Sequence, residues 1–158
     1  MNFFNFFNIK TSVFVDEILL QKEFIKKQKQ YKNIEKTDPK IKKFLYQLNF
    51  AYETILDKYK RCEYICNLNG YKTIDMSSEL YDKLIFVKPK KEYLSYIMKE
   101  YSNESLIHQN NTMKYKIDDG FMELEKLLID SRHEFFAIKF SEIRYFSKLY
   151  HYIHCKTD

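Results

Sequence analysis

Two glycines, Gly70 and Gly120, and two prolines, Pro39 and Pro89, are all that this sequence of 158 residues contains of either kind. Sandwiches, barrels and phosphate-cradling loops need such residues at many reversals, because glycine enters positive φ at no steric cost and proline pre-sets turn geometry. A chain so poor in them is predicted to be all-α. Its length suits one domain or two small helical ones, and 14 Tyr with 14 Phe in a 45% hydrophobic composition can fill a core.

The same composition excludes several classes. The apolar runs, such as Phe3-Phe4 to Phe6-Phe7 and Leu84 to Val87, are far too short to span a bilayer, so no membrane association is expected. Cys62, Cys66 and Cys155 are an odd set without a secretion signal, which predicts reduced thiols in a cytosol-like compartment. The formal charge of +5 lies in one half: residues 1–71 hold 13 Lys and Arg against 8 Asp and Glu, and the remainder holds 14 against 14. Nine lysines fall between Lys22 and Lys43 against Glu23, Glu35 and Asp38, a local positive field able to steer an acidic partner.

Hydrophobic spacing divides the chain into helices. Asn2 to Ile9, with Phe3 and Phe7 four apart, suits one or two turns packed on a neighbour. From Asp16 an amphipathic helix places Leu20, Phe24, Gln28 and Tyr31 on one face and Lys22, Lys26 and Lys29 elsewhere, fading near Asn33. Asp38-Pro39 is a helix start, since Asp accepts orphan N–H groups and Pro at the first position lacks nothing that it needs. Phe44, Leu45, Leu48, Ala51, Tyr52, Ile55 and Leu56 then give a buried stripe, which predicts an antiparallel hairpin with the preceding helix. A further helix runs from Tyr59 to Asn69, ended by Gly70.

Residues 72–88 read as a connector with a helical turn around Ser78 to Leu84. Pro89 opens a helix carrying Tyr93, Leu94, Ile97, Met98 and Tyr101 on one face, which the polar Gln109-Asn110-Asn111 should end or interrupt. Stripes of Phe121, Leu124, Leu128 and Phe135, then of Ile143, Phe146, Tyr150 and Ile153, complete a C-terminal three-helix bundle over residues 89–158. No Ser-His-Asp set, phosphate loop or facing carboxylate pair appears, since Glu123 and Glu125 stand two apart on a helix. Cys62 and Cys66, four apart, lack the Cys-x-x-Cys spacing of a zinc knuckle, and His151, His154 and Cys155 lie far away in the sequence. No enzyme, metal or cofactor is expected.

Leu48-Asn49-Phe50-Ala51-Tyr52-Glu53-Thr54-Ile55-Leu56, followed by Lys60-Arg61-Cys62-Glu63-Tyr64, resembles the third-helix pattern of J domains, in which Asn, Ala-Tyr, Leu and Arg-x-Glu-Tyr recur in that order. The continuation Ile65 to Tyr71 and the opening Met1 to Phe7 are similar to those of the HscB type, a co-chaperone of iron-sulfur cluster assembly. The resemblance implies a J-domain-like unit over residues 1–71. It further implies that Lys22, Lys26, Lys29, Tyr31 and Lys32 dock on a DnaK/HscA-type chaperone. Glu142 to Leu149 is similar to the last helix of the family, which implies contacts of Tyr145, and of Tyr93, Leu94, Ile97 and Met98, with the iron-sulfur scaffold protein.

One departure bears directly on activity. Where the family has His-Pro-Asp, the tripeptide that stimulates ATP hydrolysis by the chaperone, this sequence has Lys32-Asn33-Ile34, and little or no stimulation is expected. A start directly in the first J-type helix favours a bacterial cytoplasm over a mitochondrion. The rival reading is a basic helical module for nucleic acid or another acidic partner that keeps only the J-like fold, although no interleaved aromatics or recognition helix support nucleic acid.

Overall fold

The protein is described here from a computed structural model, in which residues 2–32, 39–74 and 103–157 are described. It is all-α, as expected: among the described residues there are six helices and no strand. The chain divides into two compact units, Met1–Gly70 and Tyr71–Asp158.

The first unit holds α1 (Phe3–Phe6), α2 (Glu17–Lys32), α3 (Pro39–Leu56) and α4 (Lys58–Leu68). The Asn2 side chain caps α1 by accepting from the amides of Phe4 and Asn5 at 2.9 and 3.3 Å. Asn8, at φ 54°, then turns the chain away. Asp16 caps α2 by accepting from Leu19 N–H at 2.9 Å. Leu20 is fully buried on its inner face, where Phe24 stacks on Tyr52 at 4.2 Å and Tyr31 meets Phe44 at 4.5 Å. Opposite them, α3 buries Leu45, Leu48, Ala51 and Ile55 and half-buries Phe44 and Tyr52, so the predicted hairpin holds; the stripe fails only at Leu56, which is exposed at the last position of the helix. Gly70, at φ 78°, ends α4 as its position predicts.

Asp57 interrupts what would otherwise be one long helix. Its backbone is extended, and its carboxylate caps α4 by accepting from Lys60 N–H at 2.8 Å. Cys62 and Cys66 lie on the inner face of α4 and are buried. Among the described residues no cluster of His, Cys, Asp and Glu stands where it could hold a metal ion.

The second unit contains α5 (Asn103–Ile129) and α6 (His133–Thr157). They are joined by a three-residue turn through Ser131 at φ 56°, which makes them antiparallel neighbours. The expected interruption at Gln109-Asn110-Asn111 does not occur, and α5 runs straight through it. Each Asn costs a helix under about 0.7 kcal/mol relative to Ala, whereas burying Met113, Ile117 or Phe121 contributes roughly 1.5–3 kcal/mol apiece. The stripe is corrected too: α5 buries Met113, Ile117, Phe121, Leu124 and Leu127, while Phe135 belongs to α6. Phe135 is exposed, with the Arg132 guanidinium 4.3 Å above its ring. On α6 the buried positions are Phe136, Ala137, Phe140, Ser141, Ile143 and Tyr145. The expected turn at Ser78 to Leu84 and the Pro89-led helix lie outside the described residues.

At Gly120 the backbone of α5 comes close to a side chain of α6. A Cβ there would stand 2.8 Å from Cγ1 and 2.9 Å from Cδ1 of the buried Ile143. Gly120→Ala should therefore destabilise the C-terminal unit. Overpacking costs about 1–3 kcal/mol and outweighs the gain of about 1 kcal/mol in helix propensity. Thermal denaturation followed by circular dichroism checks this, and a raised melting temperature would contradict it.

Candidate functional site

The solvent face of α2 is the most distinctive surface of the first unit. At about 100° per residue, Ile18, Lys22, Ile25, Lys26 and Lys29 fall within an arc of about 100°, opposite Leu20, Phe24 and Tyr31. Lys22, Lys26 and Lys29 are all exposed, as the sequence predicts. Lys26 leans on Glu23 at 3.7 Å. Lys27 points inward instead, with its ammonium 4.6 Å above the Phe6 ring. Tyr31 is half-buried against Phe44, so within this face it supports rather than projects. Lys32 closes α2, and Asn33 and Ile34 lie outside the described residues.

The loop that leads into α2, and α1 before it, are held by the Arg61 to Tyr64 segment, which sequence reasoning used only as a signature. Arg61 is 4% exposed. Its Nε donates to Val13 O at 3.0 Å, and its Nη1 donates to Ile55 O at 2.6 Å and Leu56 O at 3.3 Å. Ile55 and Leu56 are the last residues of α3, whose carbonyls lack intrahelical partners because Asp57 breaks the helix. One guanidinium thus closes the end of α3 and holds the Val13 loop that delivers the chain into α2. Tyr64 completes the anchor: its hydroxyl accepts from Phe3 N–H at 2.9 Å, and its ring stacks on that of Phe3 at 4.4 Å.

In the second unit, the segment after Gly70 is fastened to α6. Ile74 N–H donates to Ser141 Oγ at 2.8 Å, Ser141 Oγ donates to Ala137 O at 2.8 Å, and Arg144 Nη1 donates to Thr73 Oγ1 at 3.1 Å. Tyr145 lies four residues beyond Ser141, on the same flank and away from the stripe that meets α5. It is 7% exposed, so in the free chain it is a packing residue that offers little of its ring. Tyr93, Leu94, Ile97 and Met98 lie outside the described residues.

Lys139 bridges the two helices, 2.8 Å from Glu123 of α5 and 3.1 Å from Glu142 of α6. Burial opposes its charge, but the hydrogen bonds and charges of the two carboxylates prevail and raise its pKa above the ordinary 10.5. A raised folded-state pKa contributes stability that is complete below the ordinary lysine value and lost as pH rises through the raised one. The C-terminal unit should therefore become more sensitive to heat as pH climbs through and above that value. In Lys139→Met this alkaline dependence should shrink, as melting curves at a series of pH values will show.

No family model matches the chain, and no curated protein matches it either. Solved structures do. The chaperone HscB from Vibrio cholerae superposes with a TM-score of 0.77 at 19% identity, covering 97% of this chain and 96% of that one. The human co-chaperone protein HscB gives 0.79 at 18% identity, covering 99% and 82%. The chain thus has the fold of HscB co-chaperones over almost its whole length, the architecture that the Leu48 to Tyr71 resemblance implies.

Proposed function

We propose that this chain is an HscB-like co-chaperone of iron-sulfur cluster assembly, without catalytic chemistry of its own. It would dock on a DnaK/HscA-type chaperone through the lysine face of α2. It would hold the cluster scaffold protein through its C-terminal unit, with Tyr145 and the Tyr93, Leu94, Ile97 and Met98 positions as contacts. The observation that supports this reading is the HscB fold over both units, combined with an exposed cationic face on α2, the helix to which the resemblance assigns chaperone docking. The replacement of His-Pro-Asp by Lys32-Asn33-Ile34 makes it a holder or deliverer of scaffold more than an activator of the chaperone.

The test is a pull-down of the full chain against the scaffold and the DnaK-type chaperone of its source organism. Both should be captured, and the chaperone should be released as salt rises, because Coulomb attraction beyond about 10 Å is screened at 0.1 M. Capture of neither, with steeply salt-dependent nucleic-acid binding instead, favours the basic-module reading. Tyr145→Ala separates docking from packing. Burial predicts a lower melting temperature in any case, whereas a docking role adds a loss of about 2 kcal/mol in scaffold affinity, measured where the variant is still folded. Unchanged affinity would assign Tyr145 to packing alone.

A further inference from the structure

The exposed face of α2 is not purely cationic. Ile18 is 81% exposed and Ile25 39% exposed. They alternate with Lys22 and Lys29 at i, i+4, i+7 and i+11, forming a ladder about 16 Å long on one side of the helix. Ile18 lies almost wholly in water and Ile25 keeps about two fifths of its surface there, so both forgo burial that Leu20 obtains in full on the inner face. We infer that α2 recognises a protein surface on which apolar pockets alternate with carboxylates, the pockets taking Ile18 and Ile25 and the carboxylates facing Lys22 and Lys29.

This deepens the docking reading above and rests on it. Charge complementarity fixes the sign of the partner, and the interleaved isoleucines fix its texture. The lysines supply steering and register, while the isoleucines supply contact area that salt does not weaken. An anionic lipid surface matches the charge but not the pattern. Helices that lie in a membrane interface segregate a broad apolar face from flanking lysines, usually with larger side chains, whereas here lysines interrupt the apolar line at every second rung. A nucleic-acid backbone would use the lysines and leave both isoleucines without a role.

The experiment measures the affinity of the full chain, of Ile18→Gln/Ile25→Gln and of Lys22→Gln/Lys29→Gln for the DnaK-type chaperone of the source organism. Salt is varied from about 0.05 to 1 M, across which the Debye length shrinks to about 3 Å. All four positions are solvent-facing, and circular dichroism verifies that each variant keeps its helices. The isoleucine pair should weaken binding roughly tenfold or more at every salt concentration, leaving the salt dependence unchanged. The lysine pair should instead flatten that dependence. If the isoleucine variant binds as tightly as the parent, the face is electrostatic only; the inference fails and the docking reading stands. If the parent itself does not bind at any salt concentration, the docking reading fails and takes the inference with it. Sedimentation with phosphatidylserine vesicles is the second arm: capture of the parent that the isoleucine variant loses would overturn the inference in favour of a lipid surface, and absence of capture supports it.

Discussion

Replacing Arg61 by methionine should lower the melting temperature of the N-terminal unit more than any single change on its surface. Methionine keeps the packing volume along α4 but gives up three hydrogen bonds, to Val13, Ile55 and Leu56. Bonds from a charged donor contribute about 1.5–3 kcal/mol each when intact, and carbonyls left without them in a buried place add a penalty. Even if solvent recovers part of this, a net loss of about 3 kcal/mol is expected, which for a unit of this size means roughly 12 °C or more. Arg61→Lys should recover only a fraction, because a single ammonium cannot reach the Val13 loop and the end of α3 in the fork geometry of a guanidinium. Tyr64→Phe, which removes one acceptor for the Phe3 amide, should cost about 1 kcal/mol. A melting temperature within a few degrees of the parent for Arg61→Met would show that the junction is held by packing alone.

The second large effect is functional. Added to a DnaK-type chaperone and ATP, the native chain should leave hydrolysis at its basal rate even where binding is saturated, because the tripeptide position reads Lys32-Asn33-Ile34. The variant Lys32→His/Asn33→Pro/Ile34→Asp should raise the rate, measured at concentrations that saturate binding. Strong stimulation by the native chain would overturn the reading of this protein as a holder. A graft that binds but stays silent would point to the short segment up to Pro39, which carries only Glu35, Lys36, Thr37 and Asp38 beyond the graft.

The parts of the fold written in apolar spacing were legible in advance, because a helix that buries one face must repeat. Leu45, Leu48, Ala51 and Ile55 are buried where their spacing puts them, and Gly70 stops α4 where only glycine enters positive φ freely. Features resting on polar burial were not legible. Arg61 reads as another cation in a basic half until the end of α3 and the Val13 loop are both brought to it. The turn between α5 and α6 is not announced by the sequence, because Ser131 takes a left-handed conformation that glycine or asparagine usually marks, and the stripe from Phe121 therefore reads on across it to Phe135. On α2, the lysines drew attention by charge and the isoleucines did not, although their i, i+7 spacing relative to the buried Leu20 and Phe24 already placed them in solvent.

The Arg61 and Tyr64 anchors also set an order of events during synthesis. Tyr64 closes on Phe3 across 61 residues and Arg61 on Val13 across 48. The Phe3 to Phe7 segment therefore leaves the ribosome well before the residues that fix it. At roughly 5–20 residues per second, Phe3, Phe4, Phe6 and Phe7 wait for several seconds before α4 emerges to receive them. During that interval the nascent chain presents a phenylalanine-rich segment whose apolar rings have nothing yet to pack against.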